Sequence, residues 1–311
     1  MKIVFMGTPD FAVETLKAVY EAGHEIILAV TQPDKPKGRS GKLAFPPVKE
    51  WAIEHDIPVY QPVKIRDQES VDFLADYQAD IFLVAAFGQI LPKAILDMPR
   101  LGCVNVHASL LPKYRGAAPI QWAVINGEKY SGVTTMLMGE GLDNGDMLLK
   151  SEIELAPDET GGSLFDRLAI LGGQLAVMTI DALNRGSVEP VPQKEEKATH
   201  VGMIKKQMGL IDWNKSAVEI ERLMRGLDPW PSAYTYLEGK TLKLWKAEVT
   251  EESGEAGQVT SVDKAGFTIA CGQGSLRIKE LQLEGKKRMA AGDFLRGYQI
   301  KPGQRMTDGR D

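Results

Sequence analysis

Asn105 and His107 stand two positions apart in Asn105-Val106-His107-Ala108-Ser109-Leu110-Leu111-Pro112, where the apolar run Cys103–His107 ends. On a strand, residues at that spacing share one face, and Val104 and Val106 take the other. Open parallel sheets bind ligands beyond the carboxyl ends of their strands. The pair therefore sits where such a crevice would open. A carboxylate to complete the set is offered by Gly141-Leu142-Asp143-Asn144-Gly145-Asp146. Asp143 either reaches the His107 imidazole and adjusts its protonation, or serves only as turn chemistry between two strands. Spacing leaves both readings open, just as Asn105 and His107 could be hydrogen-bonded core polars. Cys103 shares their face by parity, but it lies deeper in the strand with no adjacent cation, which keeps a thiol protonated. His24, His55 and His200 are expected at the surface.

The elements that would position these residues are legible in the apolar pattern. Lys2–Met6, Glu25–Thr31, Ile81–Phe87 and Cys103–His107 are short runs rich in Val, Ile and Phe, and they read as buried strands. Between them Phe11–Ala22, Pro47–His55 and Asp67–Tyr77 have helical spacing. Alternation of strand and helix predicts an α/β domain with a parallel sheet covered on both faces. Val133–Met138 and Met147–Leu155 form a further strand pair, and Ser163–Leu183 reads as a long amphipathic helix. The prolines and charges of residues 186–202 mark a linker. Beyond it, Ser216 and Glu219 form a capping box that opens a helix over Ser216–Leu227. The short segments Ala233–Leu237, Thr241–Val249, Gln258–Val262, Phe267–Ala270 and Ser275–Leu283 then suggest a small antiparallel barrel of the oligonucleotide-binding (OB) type.

Composition narrows the class. The 311 residues are 43% hydrophobic and 25% charged, an ordinary globular balance. The longest apolar run, Ile81–Phe87, is far short of the ~20 residues of a membrane span. The start of the chain is too short for a secretory hydrophobic region. Two cysteines are too few for a disulfide framework or a four-thiolate zinc site. A cytoplasmic protein is expected. Gly7-Thr8-Pro9-Asp10-Phe11 after the first strand lacks the Gly-rich fingerprint of dinucleotide binding, and no Walker loop or serine-hydrolase elbow occurs. The net charge of −5 is unevenly spread: residues 201–311 carry 18 Lys and Arg against 15 Asp and Glu, and residues 1–200 carry 19 against 27. The second part is thus the more suited to an anionic partner.

Asn105-Val106-His107-Ala108-Ser109-Leu110-Leu111-Pro112, with Gly116 following and Asp143 downstream, resembles the signature of formyltransferases that use 10-formyltetrahydrofolate. Within that superfamily the chain is similar to the methionyl-tRNA formyltransferase family. The resemblance extends through Gly7-Thr8-Pro9-Asp10-Phe11-Ala12, Thr31-Gln32-Pro33-Asp34-Lys35-Pro36, Gly116-Ala117-Ala118-Pro119-Ile120-Gln121, Gly141–Asp146, Ile211-Asp212-Trp213 and Pro229-Trp230-Pro231, and so covers nearly the whole chain. Ala108 departs from the Gly of many relatives, without loss of a reacting group.

The resemblance implies a Rossmann-like formyltransferase domain over residues 1–188, a linker over 189–204 and a tRNA-contacting β-barrel over 205–311. It implies transfer of a formyl group from 10-formyltetrahydrofolate, as co-substrate and without a metal, to the amino group of methionyl initiator tRNA. Asn105, His107 and Asp143 would be catalytic, the first two as donors to the oxyanion that forms when the amine attacks. Loss of one such donor typically costs ~3 kcal/mol. Ser109, Leu110, Leu111 and Pro112 would line the folate pocket, with Phe87 and Gly88 as neighbours. The loop Asp34–Lys42 carries Lys35, Lys37, Arg39 and Lys42, four cations in eight positions, with Gly and Pro that oppose a helix. It would be a mobile arm for the acceptor stem, its phosphate contacts positioning the RNA without reading sequence. Lys205, Lys206, Lys286, Lys287 and Arg288 would add a second basic surface. A monomer is expected. The competing readings are an amino-sugar nucleotide as acceptor, hydrolysis of the formyl donor, and a non-catalytic RNA-binding module.

Overall fold

Branched and aromatic residues in runs of five or six make the central strands, because such side chains fit a surface buried on both faces. The computed structural model describes residues 1–37 and 42–309. Its first unit comprises Met1–Pro119, Tyr130–Glu154 and Phe165–Val201. The strands here are β1 (Lys2–Gly7), β2 (Glu25–Val30), β3 (Val59–Tyr60), β4 (Ile81–Ala85), β5 (Cys103–His107), β6 (Tyr130–Leu137) and β7 (Met147–Glu154). Their order is β7-β6-β5-β4-β1-β2-β3. Pairings from β3 through β5 are parallel, and β6 runs antiparallel to both β5 and β7. The sheet is therefore mixed, a parallel body extended at one edge by the expected further strand pair, here antiparallel. The hairpin β6–β7 ends it at an edge where β7 alternates buried or half-buried with exposed residues, the pattern of a strand with one wet face.

The helices expected between strands are present. Asp10–Glu21 buries Phe11, Ala12, Thr15, Leu16 and Val19, spaced to fall on one face. Pro47–Glu54 and Gln68–Ala75 follow, and Gly161–Arg185 is long and apolar enough in composition to cross a membrane. Its Leu168, Ala169, Leu175, Ala176 and Ile180 are buried, however, so core packing accounts for that composition. Val4, Met6, Leu28, Val30, Phe82, Val84 and Cys103 form one continuous apolar cluster with Ile95 and Leu96. That cluster lies beneath the sheet face on which β5 also carries Asn105 and His107.

Residues 186–202, expected as a linker, hold two short pieces of structure: a turn of 3-10 helix at Glu195–Lys197 and the bridge strand His200–Val201, which pairs in parallel with Arg115–Gly116. Lys35–Lys37 and Lys42–Ala44 also pair, so the flanks of the basic loop form a two-stranded ribbon rather than irregular chain. Arg39 lies outside the described residues.

The second unit comprises Ile120–Lys129, Leu155–Leu164 and Gly202–Asp311. Its strands β8 (Ala233–Leu237), β9 (Lys240–Thr250), β10 (Val259–Val262), β11 (Phe267–Ala270) and β12 (Ser275–Leu283) pair antiparallel in the order β8-β9-β12-β11-β10. Glu238 and Gly239 both have positive φ, 49° and 71°, the two-residue turn that matches hairpin twist between β8 and β9. Leu237, Leu242, Leu244, Phe267, Ile269, Leu276 and Ile278 are fully buried. Helix Ala217–Gly226 covers this core with Ala217, Ile220 and Met224, and Ser216 and Glu219 make the expected capping box. Each edge strand is covered in part. Segment 303–307 exchanges backbone hydrogen bonds with Val259 of β10 through Gly303 and Gln304, and with Tyr236 of β8 through Thr307.

Candidate active site

His107 is the last residue of β5, 6% exposed, with Thr134 of β6 opposite it. Its Nε2 lies 2.9 Å from the carbonyl oxygen of Tyr114. A carbonyl can only accept, so Nε2 carries the hydrogen and, in the neutral ring, Nδ1 is the acceptor. Nδ1 faces Asp143 Oδ2 at 3.7 Å. The Gly116 amide donates to that same carboxylate oxygen at 2.8 Å. Asp143 sits at φ 48°, in the left-handed region that an Asp tolerates better than most residues. The turn Gly141–Asp146 thus brings its carboxylate to the histidine. Asn105, two residues before His107 on the same face, is half-buried, and its carboxamide has no hydrogen-bond partner among the described residues. An amide in that state is free to donate outward.

The loop after β5 is fixed by hydroxyl groups. The Thr134 hydroxyl donates to the Ser109 carbonyl at 2.7 Å and accepts from the Leu111 amide at 3.1 Å. The Ser109 hydroxyl donates to the Lys113 carbonyl at 2.7 Å, and Lys150 Nζ donates to the Leu111 carbonyl. Burial holds the Lys150 ammonium below its ordinary lysine value. Ser109 and Leu111 are buried, while Leu110 and Pro112 are half-exposed. At the end of the neighbouring β4, Ala86 and Gly88 have positive φ, and both are exposed. Phe87 between them is buried, its carbonyl receiving the Thr8 hydroxyl and the Gln32 amide at 3.2 Å each. Pro9 occupies the N-cap position of the following helix and has no N–H to offer, so the turn after β1 is built around Thr8 rather than a row of amides.

Cys103 is 2% exposed, and burial pushes its thiol up to about 12, so no thiolate is available for nucleophilic attack near neutrality. His55 stacks on Trp51 with ring centroids 3.7 Å apart, away from this loop chemistry. Among the described residues no group of three or more His, Cys, Asp or Glu could hold a metal ion.

Four contributors escaped the sequence reading: Thr134, Lys150, Arg115 and Gln193. Arg115, 3% exposed, is bidentate to Glu195, with Nη2 to Oε1 at 2.8 Å, and donates from Nε to Gln193 Oε1 at 3.0 Å. Gln193 Nε2 in turn donates to the Asp143 and Gly145 carbonyls at 2.8 Å each. An arginine directly before a motif glycine was the only signal available, and its partners lie 78 and 80 positions away.

The basic residues divide by what they touch. Lys35 is exposed, on the ribbon anchored by the Asp34–Lys49 ion pair at 2.7 Å. Lys37 and Lys42 face each other in that ribbon by backbone register. In the second unit Lys205, Lys206, Lys286 and Lys287 are exposed, but Arg288 is committed to Glu280 at 2.7 Å and lies over the Trp245 ring.

The sequence pattern of the family described as formyl transferase matches residues 1–180, and that described as formyl transferase, C-terminal domain, matches residues 203–299. The fold is shared with the N-formyltransferase from Helicobacter canadensis, a structure in complex with folinic acid and dTDP-3-aminofucose. That structure is 17% identical, with a TM-score of 0.67 over 89% of this chain and 98% of that one. HypX from Aquifex aeolicus shares the fold at TM-score 0.64 and 18% identity, with 97% of this chain covered; the match spans about half, 49%, of the HypX chain. Fold and family pattern together define a formyltransferase. The methionyl-tRNA formyltransferase of Agathobacter rectalis is 58% identical over 309 residues, 99% of this chain and 100% of the relative. That of Geobacter sulfurreducens is 50% identical over 99% of this chain and 97% of its own length. The chain belongs to the methionyl-tRNA formyltransferase family.

Proposed function

We propose that this chain transfers the formyl group of 10-formyltetrahydrofolate to the free amino group of methionyl initiator tRNA, giving N-formylmethionyl-tRNA for translation initiation. The observation that carries this reading is the His107–Asp143 couple with an uncommitted Asn105 carboxamide on the same strand face. Full-length identity of 58% to a methionyl-tRNA formyltransferase supports the choice of acceptor.

In this mechanism the acceptor nitrogen forms a bond to the formyl carbon while the bond from that carbon to the folate nitrogen breaks. One proton leaves the attacking amine, and one is taken up by the departing nitrogen. An α-amino group has a pKa near ~8, so part of it is uncharged at neutral pH and no strong base is needed first. Asn105 donates its amide hydrogen to the formyl oxygen as negative charge gathers there. His107 holds and returns the proton at Nδ1, because Nε2–H is engaged by Tyr114. The Asp143 carboxylate faces Nδ1 at 3.7 Å and orients the imidazole during that exchange. The donor's folate portion is held by the loop Ser109–Pro112 with Phe87 and Gly88 beside it. The fit rests on a loop backbone that Thr134 and Lys150 already fix, so little ordering is left to binding.

Lys35, Lys37, Arg39 and Lys42 grip the acceptor-stem phosphates, and the basic part of residues 205–311 supplies a second electrostatic surface. The division into a catalytic part over 1–188, a connecting part over 189–204 and a tRNA-contacting, OB-like part over 205–311 belongs to the same proposal. So do a monomeric state and a cytoplasmic site of action.

The test is formyl transfer from 10-formyltetrahydrofolate to methionyl initiator tRNA, methionyl elongator tRNA and an amino-sugar nucleotide, assayed separately. Preference for the initiator tRNA is expected. A faster reaction with the amino-sugar nucleotide would overturn the assignment, and equal rates on both tRNAs would reject discrimination by the basic arm.

A further inference from the structure

We propose that Gln193, in the segment that follows the long helix Gly161–Arg185, is a positioning residue for Asp143, and that residues 193–201 are the back wall of the active site rather than a spacer. The inference rests on the reading of Asp143 as the partner of His107. Its geometric basis is a carboxamide held at both ends.

Gln193 Nε2 donates to two carbonyls of one turn, those of Asp143 and Gly145, at 2.8 Å each. Gln193 Oε1 accepts from Arg115 Nε at 3.0 Å. The orientation follows from chemistry: a flipped amide would set donor against guanidinium and acceptor against two carbonyls. A carboxamide alone meets both demands. A carboxylate there would face two carbonyl oxygens with no hydrogen to give, and an aliphatic side chain would satisfy neither neighbour.

The need for such a brace is local. Asp143 adopts φ 48°, a conformation that a non-glycine residue keeps only when its surroundings impose it. Gln193 fixes the backbone of the turn through its carbonyls, and the Gly116 amide fixes the carboxylate. Both anchors are tied to one strap, residues 193–201: Gln193 lies in it and Gly116 pairs with it. Arg115 and Gly116 pair with His200 and Val201, the Tyr114 amide donates to the Thr199 hydroxyl at 2.8 Å, and Arg115 is bidentate to Glu195. Tyr114 is also the residue whose carbonyl receives His107 Nε2–H. The strap therefore braces the supports of both members of the couple while touching no reacting atom.

The experiment is steady-state kinetics on the full chain carrying Gln193→Leu, Gln193→Asn, Asp143→Asn, or Gln193→Leu with Asp143→Asn, with unfolding midpoints measured in parallel. Gln193→Leu is expected to lower kcat roughly 10- to 100-fold, the usual consequence of an ångström-scale misplacement, with KM for folate donor and tRNA little changed. Gln193→Asn, one methylene shorter, should show a smaller loss with the same kcat-only signature, and serves if the leucine variant does not fold. In the Asp143→Asn background, Gln193→Leu should lower kcat no further. Wild-type kcat in both Gln193 variants, with Asp143→Asn inactive, would overturn this inference and leave the catalytic reading intact. So would independent, multiplying effects of the two substitutions. Near-normal turnover by Asp143→Asn would instead remove the catalytic reading.

Discussion

The Gly116 amide and the Asp143 carboxylate meet at 2.8 Å across 27 positions of sequence, and the carboxylate so held is the one that faces His107. Gly116 has φ 113°, and a Cβ there would collide with the Val201 carbonyl oxygen. Both conformation and space exclude a side chain. Gly116→Ala is expected to cost about 1–3 kcal/mol from backbone strain alone, and to lower kcat through displacement of Asp143. Thermal unfolding read beside initial rates checks this; a variant unchanged in both would remove Gly116 from the scheme.

Asn105→Ala removes the uncommitted carboxamide without breaking an internal hydrogen bond. The expected result is a loss of about 3 kcal/mol of transition-state stabilisation, on the order of a hundredfold in kcat, with an unfolding midpoint close to wild type. A drop in stability without a drop in rate would recast Asn105 as a packing residue.

Thr134→Val preserves shape but leaves the Ser109 carbonyl and the Leu111 amide without their buried partner. A cost of about 1–3 kcal/mol in stability is expected. The loosened loop should raise KM for the folate donor more than it lowers kcat. Isothermal binding of tetrahydrofolate would show the same weakening.

Cys103 and Cys271 are each raised to about 12 by burial, against an ordinary 9.0. The folded state thus favours the protonated thiols. Their contribution to stability is complete below pH 9 and falls away as pH rises toward 12. Alkylating reagents at pH 8 should leave activity intact in the native protein and label both cysteines only after unfolding. Rapid inactivation with stoichiometric labelling of Cys103 would contradict its burial.

Arg39→Ala and Lys35→Ala test the arm. Each should raise KM for tRNA with kcat unchanged, and each lost phosphate contact should reduce the salt slope of tRNA binding by about 1. Equal kinetics on tRNA at all salt concentrations would reject the arm.

Strand periodicity made much of this fold legible beforehand. The bounds expected for Cys103–His107, Ala233–Leu237, Phe267–Ala270 and Ser275–Leu283 are the ones they have, because each is either a buried run or an alternation of buried and half-buried residues closed by turn residues. Ile81–Phe87 was read two residues too long: Ala86 turns to φ 47°, and no apolar count reveals a reversed backbone angle. Val59–Tyr60, Arg115–Gly116 and His200–Val201 went unread, since two residues cannot display a period. His107 and Asp143 were nominated by residue type, but the groups that hold them were not. Gln193 sits in a proline- and charge-rich stretch whose composition resembles a tether, and its bonds run to backbone carbonyls, which leave no mark on side-chain pattern.

The segment 303–307 laces together strands β8 and β10, which lie at opposite edges of the second sheet. Without those residues the amides and carbonyls of Val259 and Tyr236 would lose their partners, one residue at each edge. The second sheet therefore owes the closure of both edges at these positions to a segment outside its own strands. A protease nick ahead of residue 303 would return it to an aggregation-prone, half-fastened state.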